Sequence, residues 1–276
     1  RDLARAEMQG MALVQVIRQN IDNSIEKIDI ALRMIVDNLE VDLKSNEKKH
    51  DLVFGVMDKI RYLINESEDV SVTDRDGNVV FHMGHNRPYS FNVRDREYFQ
   101  DIKNGLREYL YVTRPLKSRL SGDDILIFSR GYHDRAGQFA GVVVIPVRIE
   151  HFRRQISAFP VAEDSFLSLR SHDLSLIVRN PSRFRDEVIE IGDQARVPGK
   201  LREMVGESFQ QGTFLAQTPL ENVKRIYSVA RLSSCPIYII NALSIKSTLD
   251  PWRNLCLIVL LMTLLFITIT CLSAVV

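Results

Sequence analysis

Five basic side chains, Arg96, Arg114, Lys117, Arg119 and Arg130, fall within 35 residues of one another. A guanidinium presents a planar fork of donors that matches a carboxylate or phosphate, so several converging on one hollow suit a small anion. Tyr98 and Phe99 stand among them and would give such a hollow an apolar wall, the usual make-up of a small-molecule site. The competing arrangement spreads the cations over the surface, paired with Asp95, Glu97, Asp123 or Asp124, where ion pairs contribute little. Asp134 opens a turn, a place where the carboxylate hydrogen-bonds its own backbone.

Other chemistry finds less support. His82-x-x-His85 sits at a strand end, where residues three apart point to opposite faces, and no carboxylate or thiolate cluster is near; neither metal nor cofactor is expected. Ser129 has no His and Asp partners at motif spacing. There is no phosphate-binding Walker loop and no glycine fingerprint after a strand, so these residues are read as non-catalytic. The chain of 276 residues carries 36 basic against 35 acidic side chains, which gives no bulk electrostatic case for nucleic-acid binding. Cys235, Cys256 and Cys271 are too few for a disulfide-stapled scaffold.

These residues must be positioned by larger elements. Apolar residues recur at Val14, Ile17, Ile21, Ile25, Ile28, Leu32, Ile35 and Leu39, a spacing between the straight-helix and coiled-coil periods. The first 48 residues are therefore read as a long helix. Its stripe is expected to rest on the body of the domain and, in part, on the same helix of a second copy. A shorter helix is predicted over Glu47–Asn65. The period then changes. Val70–Thr73 and Val79–His82 read as a hairpin, Arg94–Asn104 as a short helix, and Tyr109–Thr113, Ile125–Tyr132 and Phe139–Ile149 as three strands. The order then repeats: a hairpin over Ser165–Arg170 and Leu174–Val178, a helix over Pro198–Val205, and strands over Thr213–Gln217, Lys224–Leu232 and Ile237–Leu243. The predicted fold is α+β, a long helix followed by two tandem PAS-like antiparallel-sheet modules, residues 49–152 and 153–250.

A mean hydropathy of −0.07 hides the last segment. From Leu255 to Val276, 22 residues pass without a charged side chain or histidine. As a helix this spans about 33 Å, close to a bilayer's hydrocarbon core, with Trp252 and Arg253 suited to the lipid–water boundary. Residues 251–276 are expected to be a transmembrane helix. Asp250-Pro251 is a good helix start; a longer helix from near Ser244, kinked at Pro251, is the alternative. Arg1 is not an initiator methionine, so the sequence is expected to begin inside a longer protein.

The segments Val93-Arg-Asp-Arg-Glu-Tyr-Phe99, Thr113-Arg-Pro115, Ser118-Arg-Leu-Ser-Gly122, Phe128-Ser-Arg130 and Asp134-x-x-Gly137-x-Phe-Ala-Gly-Val142 resemble a double Cache (dCache) sensor domain. The variant is most similar to those of diguanylate cyclases and other cyclic-di-GMP proteins, and histidine kinases carry similar ones. The resemblance implies an extracytoplasmic domain at a bacterial inner membrane, facing the periplasm, that feeds a cytoplasmic output. It implies a small-molecule ligand in the membrane-distal module, with Arg96, Tyr98, Phe99, Arg130 and Asp134 at the site; the reading of the basic segment between them adds Arg114, Ser118 and Arg119 as candidate ligand-binding residues. Amino-acid-binding members have an Arg-x-Trp-Tyr arrangement; this chain matches it at Arg96, with Tyr98 and Phe99 for the aromatic pair. It places Arg114-Pro-Leu-Lys117-Ser-Arg119 where the ammonium-binding strand would run, so the expected ligand is an anion, a carboxylate by preference. Partners expected are that ligand, the membrane through residues 255–276 and a second copy of the chain. The alternatives are the sensor region of a histidine kinase or chemoreceptor, or a structural, protein-binding ectodomain.

Overall fold

The computed structural model describes residues 2–44, 70–83, 91–105, 109–119, 121–184, 187–206, 208–218, 220–247, 256, 258–265 and 267. Its long axis is set by α1 (Asp2–Lys44), a helix of 43 residues and therefore roughly 65 Å. All eight stripe positions from Val14 to Leu39 are buried, none more than 6% exposed. A helix this long is stabilised by tertiary burial of such a face more than by propensity. The stripe packs on two antiparallel sheets, one towards each end of the helix.

The distal sheet comprises β1 (Val70–Thr73), β2 (Val79–Met83), β3 (Tyr111–Val112), β4 (Leu116–Lys117), β5 (Asp124–His133) and β6 (Phe139–Arg148). Its strands run in the order β2-β1-β6-β5-β3, with β4 also paired to β5. A short helix, α2 (Glu97–Lys103), covers its outer face through Tyr98, Phe99 and Ile102. Period-two alternation assigns the two faces. Leu126 and Phe128 of β5, with Val143, Ile145 and Val147 of β6, pack in the core built on α1. Ile125, Ile127, Val142 and Val144 point the other way, toward α2.

After β6 the chain enters α3 (Ile149–Ser157), where the sequence reading had extended the strand to Ile149. Ile149, Phe152 and Ile156, spaced three and four apart, bury one face against the α1 core. The proximal sheet follows: β7 (Phe166–Arg170), β8 (Leu176–Asn180), β11 (Gln211–Gln217), β12 (Lys224–Arg231) and β13 (Tyr238–Ser244), in the order β11-β12-β13-β7-β8. A two-stranded ribbon of β9 (Arg183–Phe184) and β10 (Glu187–Val188) and the short helix α4 (Gly199–Met204) lie between β8 and β11 in the chain.

Gly10 brings α1 against β12 and β13. A Cβ there would sit 2.7 Å from Ser228 Oγ and 3.3 Å from Asn241 Nδ2, and Asn241 Nδ2 donates to the Gly10 carbonyl at 3.4 Å. Gly77 closes the β1–β2 turn at φ +83°, where a Cβ would lie 2.8 Å from the Arg94 nitrogen. Gly77→Ala is therefore expected to cost about 1–2 kcal/mol, measured by urea denaturation, from the left-handed backbone alone. The added clash would also push on the loop leading into α2.

The predicted helix Glu47–Asn65 lies outside the described residues. Of the predicted span Leu255–Val276, residues 256, 258–265 and 267 are described; they are helical and exposed. Among the described residues no helix is long and apolar enough to cross a membrane. Residues 245–247, directly after β13, are already helical, while Asp250 and Pro251 lie outside the described residues.

Candidate ligand-binding site

Between the outer face of the distal sheet and α2 lies a cavity of about 330 Å³. Its apolar wall is formed by Val79, Val93, Leu116, Ile125, Ile127 and Val144. The strand alternation explains this wall, since the inward set of β5 and β6 on this face is apolar and unobstructed by α1. Polar groups enter at the margin: Arg96 and Tyr98 from the α2 region, Ser118, Arg119 and Ser121 from the loop after β4, Ser71 and His82 from the first hairpin, and Arg148 from the end of β6.

Arg96 is the N-terminal flanking residue of α2, in extended backbone geometry. Its N–H donates to the Val93 carbonyl at 2.9 Å, and its own carbonyl accepts from Phe99 and Gln100 at 3.1 Å each. The main chain thus does the capping, and the half-buried guanidinium lines the cavity. Among the described residues no carboxylate pairs with it. Arg119 is held differently: it forms a two-pronged ion pair with Asp95, one contact at 3.1 Å, and donates to the Asn92 carbonyl at 3.2 Å. The hydrogen bond from Arg119 keeps the Asp95 carboxyl below the usual carboxylate range. Burial pushes the Tyr98 phenol up to about 12, so it stays a neutral hydroxyl across physiological pH. Ser71 Oγ lies 2.9 Å from His82 Nδ1, orienting the imidazole on the cavity margin. His85 lies outside the described residues.

Arg96, Tyr98, Ser118 and Arg119 are thus brought together, and four other predicted site residues are not. Phe99 is fully buried beneath α2, in edge contact with Phe139 at 5.7 Å. Arg114 is exposed and pairs with Glu97 at 3.1 Å, as Lys117 pairs with Asp124 at 3.0 Å, which is the surface arrangement. Asp134 serves its own turn, accepting from the Ala136 and Gln138 nitrogens at 2.9 Å each. Arg130 sits on the opposite face of the sheet. Its Nε and Nη2 contact the two carboxylate oxygens of Asp29 on α1 at 2.6 and 3.1 Å. The expected hollow between Arg96 and Arg130 therefore does not form. The reason is parity, because Arg130 shares its strand face with Leu126 and Phe128. The margin residues Ser71, His82 and Arg148 were missed; the same alternation puts Arg148 with Val144 and Pro146 on the outer face.

Comparison with known proteins bears on this arrangement. No protein-family description matches the sequence, and no curated protein does. Solved structures do. The extracellular domain assigned to histidine kinase rpHK1S-Z16 superimposes with a TM-score of 0.75 at 22% identity, over 91% of this chain and 99% of that one. The chain shares the fold of that extracellular domain. The ligand-binding domain of the Campylobacter jejuni chemoreceptor Tlp3, in complex with 4-methylisoleucine, matches this fold with a TM-score of 0.64 at 12% identity, over 90% and 94% of the two chains. The ligand-binding domain of Mlp24 with asparagine gives 0.62 at 13%, over 90% and 95%. The long helix and paired antiparallel sheets are thus an arrangement shared with these histidine kinase and chemoreceptor domains.

Proposed function

We propose that this chain is the ligand-sensing region of a membrane-bound bacterial receptor, and that a small carboxylate occupies the distal cavity. One observation carries the reading: an apolar-walled hollow of about 330 Å³ into which Arg96 reaches with no carboxylate partner among the described residues. Arg96 is assigned the ligand's carboxylate, Ser118 and Arg119 the flanking hydrogen bonds, and Tyr98 the wall. Binding favours one of two conformations, and the change passes through α1 and the proximal sheet to residues 255–276, proposed as the membrane span. The exposed apolar side chains of residues 258–265 support that span. Ile30, Met34 and Val41, exposed on α1, support pairing with a second copy. The soluble part is placed in the periplasm.

Two outputs are carried forward. The sequence resemblance favours a diguanylate cyclase, whereas a histidine kinase or chemoreceptor output accords with the solved structures that share the fold. Assaying the whole receptor for cyclic-di-GMP synthesis and for ATP-dependent autophosphorylation decides between them, a chemoreceptor showing neither. Binding itself is tested by melting the protein with a panel of organic acids and amino acids. A ligand at about a hundred times its dissociation constant adds roughly 2.7 kcal/mol of stability, a rise of several degrees. If no compound raises the melting temperature, or if the rise is as large for uncharged analogues, the sensing role is wrong.

A further inference from the structure

The proximal sheet also turns one face away from α1, and that face is charged. It carries Phe166, Ser168 and Arg170 on β7, Arg179 on β8 (directly opposite Ser168), and Arg225 and Tyr227 on β12. Arg170, Arg179 and Arg225 are 2%, 3% and 0% exposed. A guanidinium so far from water must be paired or hydrogen-bonded. Arg170 is satisfied by the carbonyls of Leu174 and Asp193, each at 2.6 Å. Arg179 and Arg225 share one carboxylate, with Arg196, itself paired to Asp193 and Glu187, 3.9 Å from the same group. Glu221, from the loop joining β11 and β12 and itself 3% exposed, places Oε1 2.6 Å from Arg179 Nη1 and Oε2 2.5 Å from Arg225 Nη1. Both cations lie against the Phe166 ring, with guanidinium carbons 3.9 and 5.1 Å from its centre.

The cluster is under-filled. Arg225 also donates to the Asp164 carbonyl at 2.5 Å and to Thr218 Oγ1 at 3.2 Å, whereas Ser168 Oγ and Arg179 Nε are buried with no hydrogen-bond partner among the described residues. Two buried guanidiniums converging on one carboxylate beside an aromatic ring, with the Arg179 Nε donor left over, form a receptor for that carboxylate. We propose that Arg179 and Arg225 constitute a second carboxylate-binding site, that Glu221 occupies it as a ligand tethered to the β11–β12 loop, and that this latch closes the proximal module to free ligands. Removing the tether exposes a site for a small monocarboxylate. The distal cavity plays no part in this.

The test is chemical rescue in the full chain. Glu221→Ala leaves two buried cations without their counter-ion and is expected to lower the melting temperature by about 10 °C. Formate or acetate at tens of millimolar should restore most of that loss. Chloride at the same ionic strength should not, and the wild-type protein should respond to none of the three beyond the common salt effect. An alanine variant as stable as wild type, or chloride rescuing as well as formate, overturns the proposal. Should Glu221→Ala not fold, Glu221→Gln is measured: the amide still fills the site, so about half the loss is expected, unrelieved by formate. A glutamine variant as stable as wild type, or one that formate restores, counts equally against it.

Discussion

Arg96→Ala is expected to weaken carboxylate binding in the distal cavity by at least about a hundredfold while leaving the unliganded protein's stability nearly unchanged. A charge-assisted hydrogen bond contributes roughly 1.5–3 kcal/mol, and a two-pronged guanidinium–carboxylate contact in a half-buried site lies at the top of that range. A loss of about 2.7 kcal/mol is a hundredfold in dissociation constant. The fold should scarcely notice, since Arg96 makes no ion pair among the described residues and caps α2 through its main chain. Arg96→Lys keeps the charge but loses the fork, so an intermediate loss of about tenfold is expected. Arg119→Ala serves as the contrast: Asp95 is 64% exposed, so its lost ion pair costs little stability, and binding should weaken less than in Arg96→Ala because only flanking hydrogen bonds are removed. Calorimetric titration with the carboxylate that raises the melting temperature most is the measurement. Undiminished affinity in Arg96→Ala would remove this residue from the site.

The second large effect lies on the other face of the same sheet. Asp29, 7% exposed on α1, is contacted by Arg130 through both oxygens and by Arg33 at 2.5 Å. Asp29→Ala leaves the Arg130 guanidinium, with 15% of its side chain exposed, facing the apolar seam between helix and sheet without its counter-ion. A loss of about 3 kcal/mol is expected in urea denaturation, most of it the desolvation of an unpaired cation and not the worth of the pair. That origin has its own check. Replacing both partners, Asp29→Leu with Arg130→Met, removes the charge along with its partner and should recover most of the stability. A double variant as unstable as Asp29→Ala would show that the ion pair itself holds the helix to the sheet.

Much of the architecture was legible because it rests on periodicity. The eight-residue stripe of α1 was readable as a stripe because each step is three or four residues, and every member is buried. The hairpin turns at Asp74–Gly77 and Asp134–Gly137 could be read because each needs an Asp to accept from the turn's nitrogens and a Gly at positive φ. The site was only half legible. Arg96 and Arg119 enter from a helix start and a loop, positions that carry no face label; a resemblance supplied Arg96, and Arg119 came only from the clustering of basic residues. Arg130 carried such a label and it was overlooked: an even-numbered residue of β5 faces α1, whatever its charge. The helix α3 was missed because its apolar triplet directly follows a strand whose hydrophobic run hides the change of period. Glu221 could not have been found, for its importance comes from two arginines on strands β8 and β12, which are not neighbours in the sheet.

The seam at Gly10 bears on how such a molecule can move. With no side chain as a spacer, the α1 backbone meets the Ser228 and Asn241 side chains of the two strands directly, within three residues of Ser244, where the described β13 ends. Bending the rod there would need room that close packing does not provide. Sliding it lengthwise by an ångström or two needs none, and shifts of that size are the ordinary currency of packed helices. A lengthwise shift of α1 would thus carry Gly10 past Asn241 and be felt first at the strand that ends at Ser244.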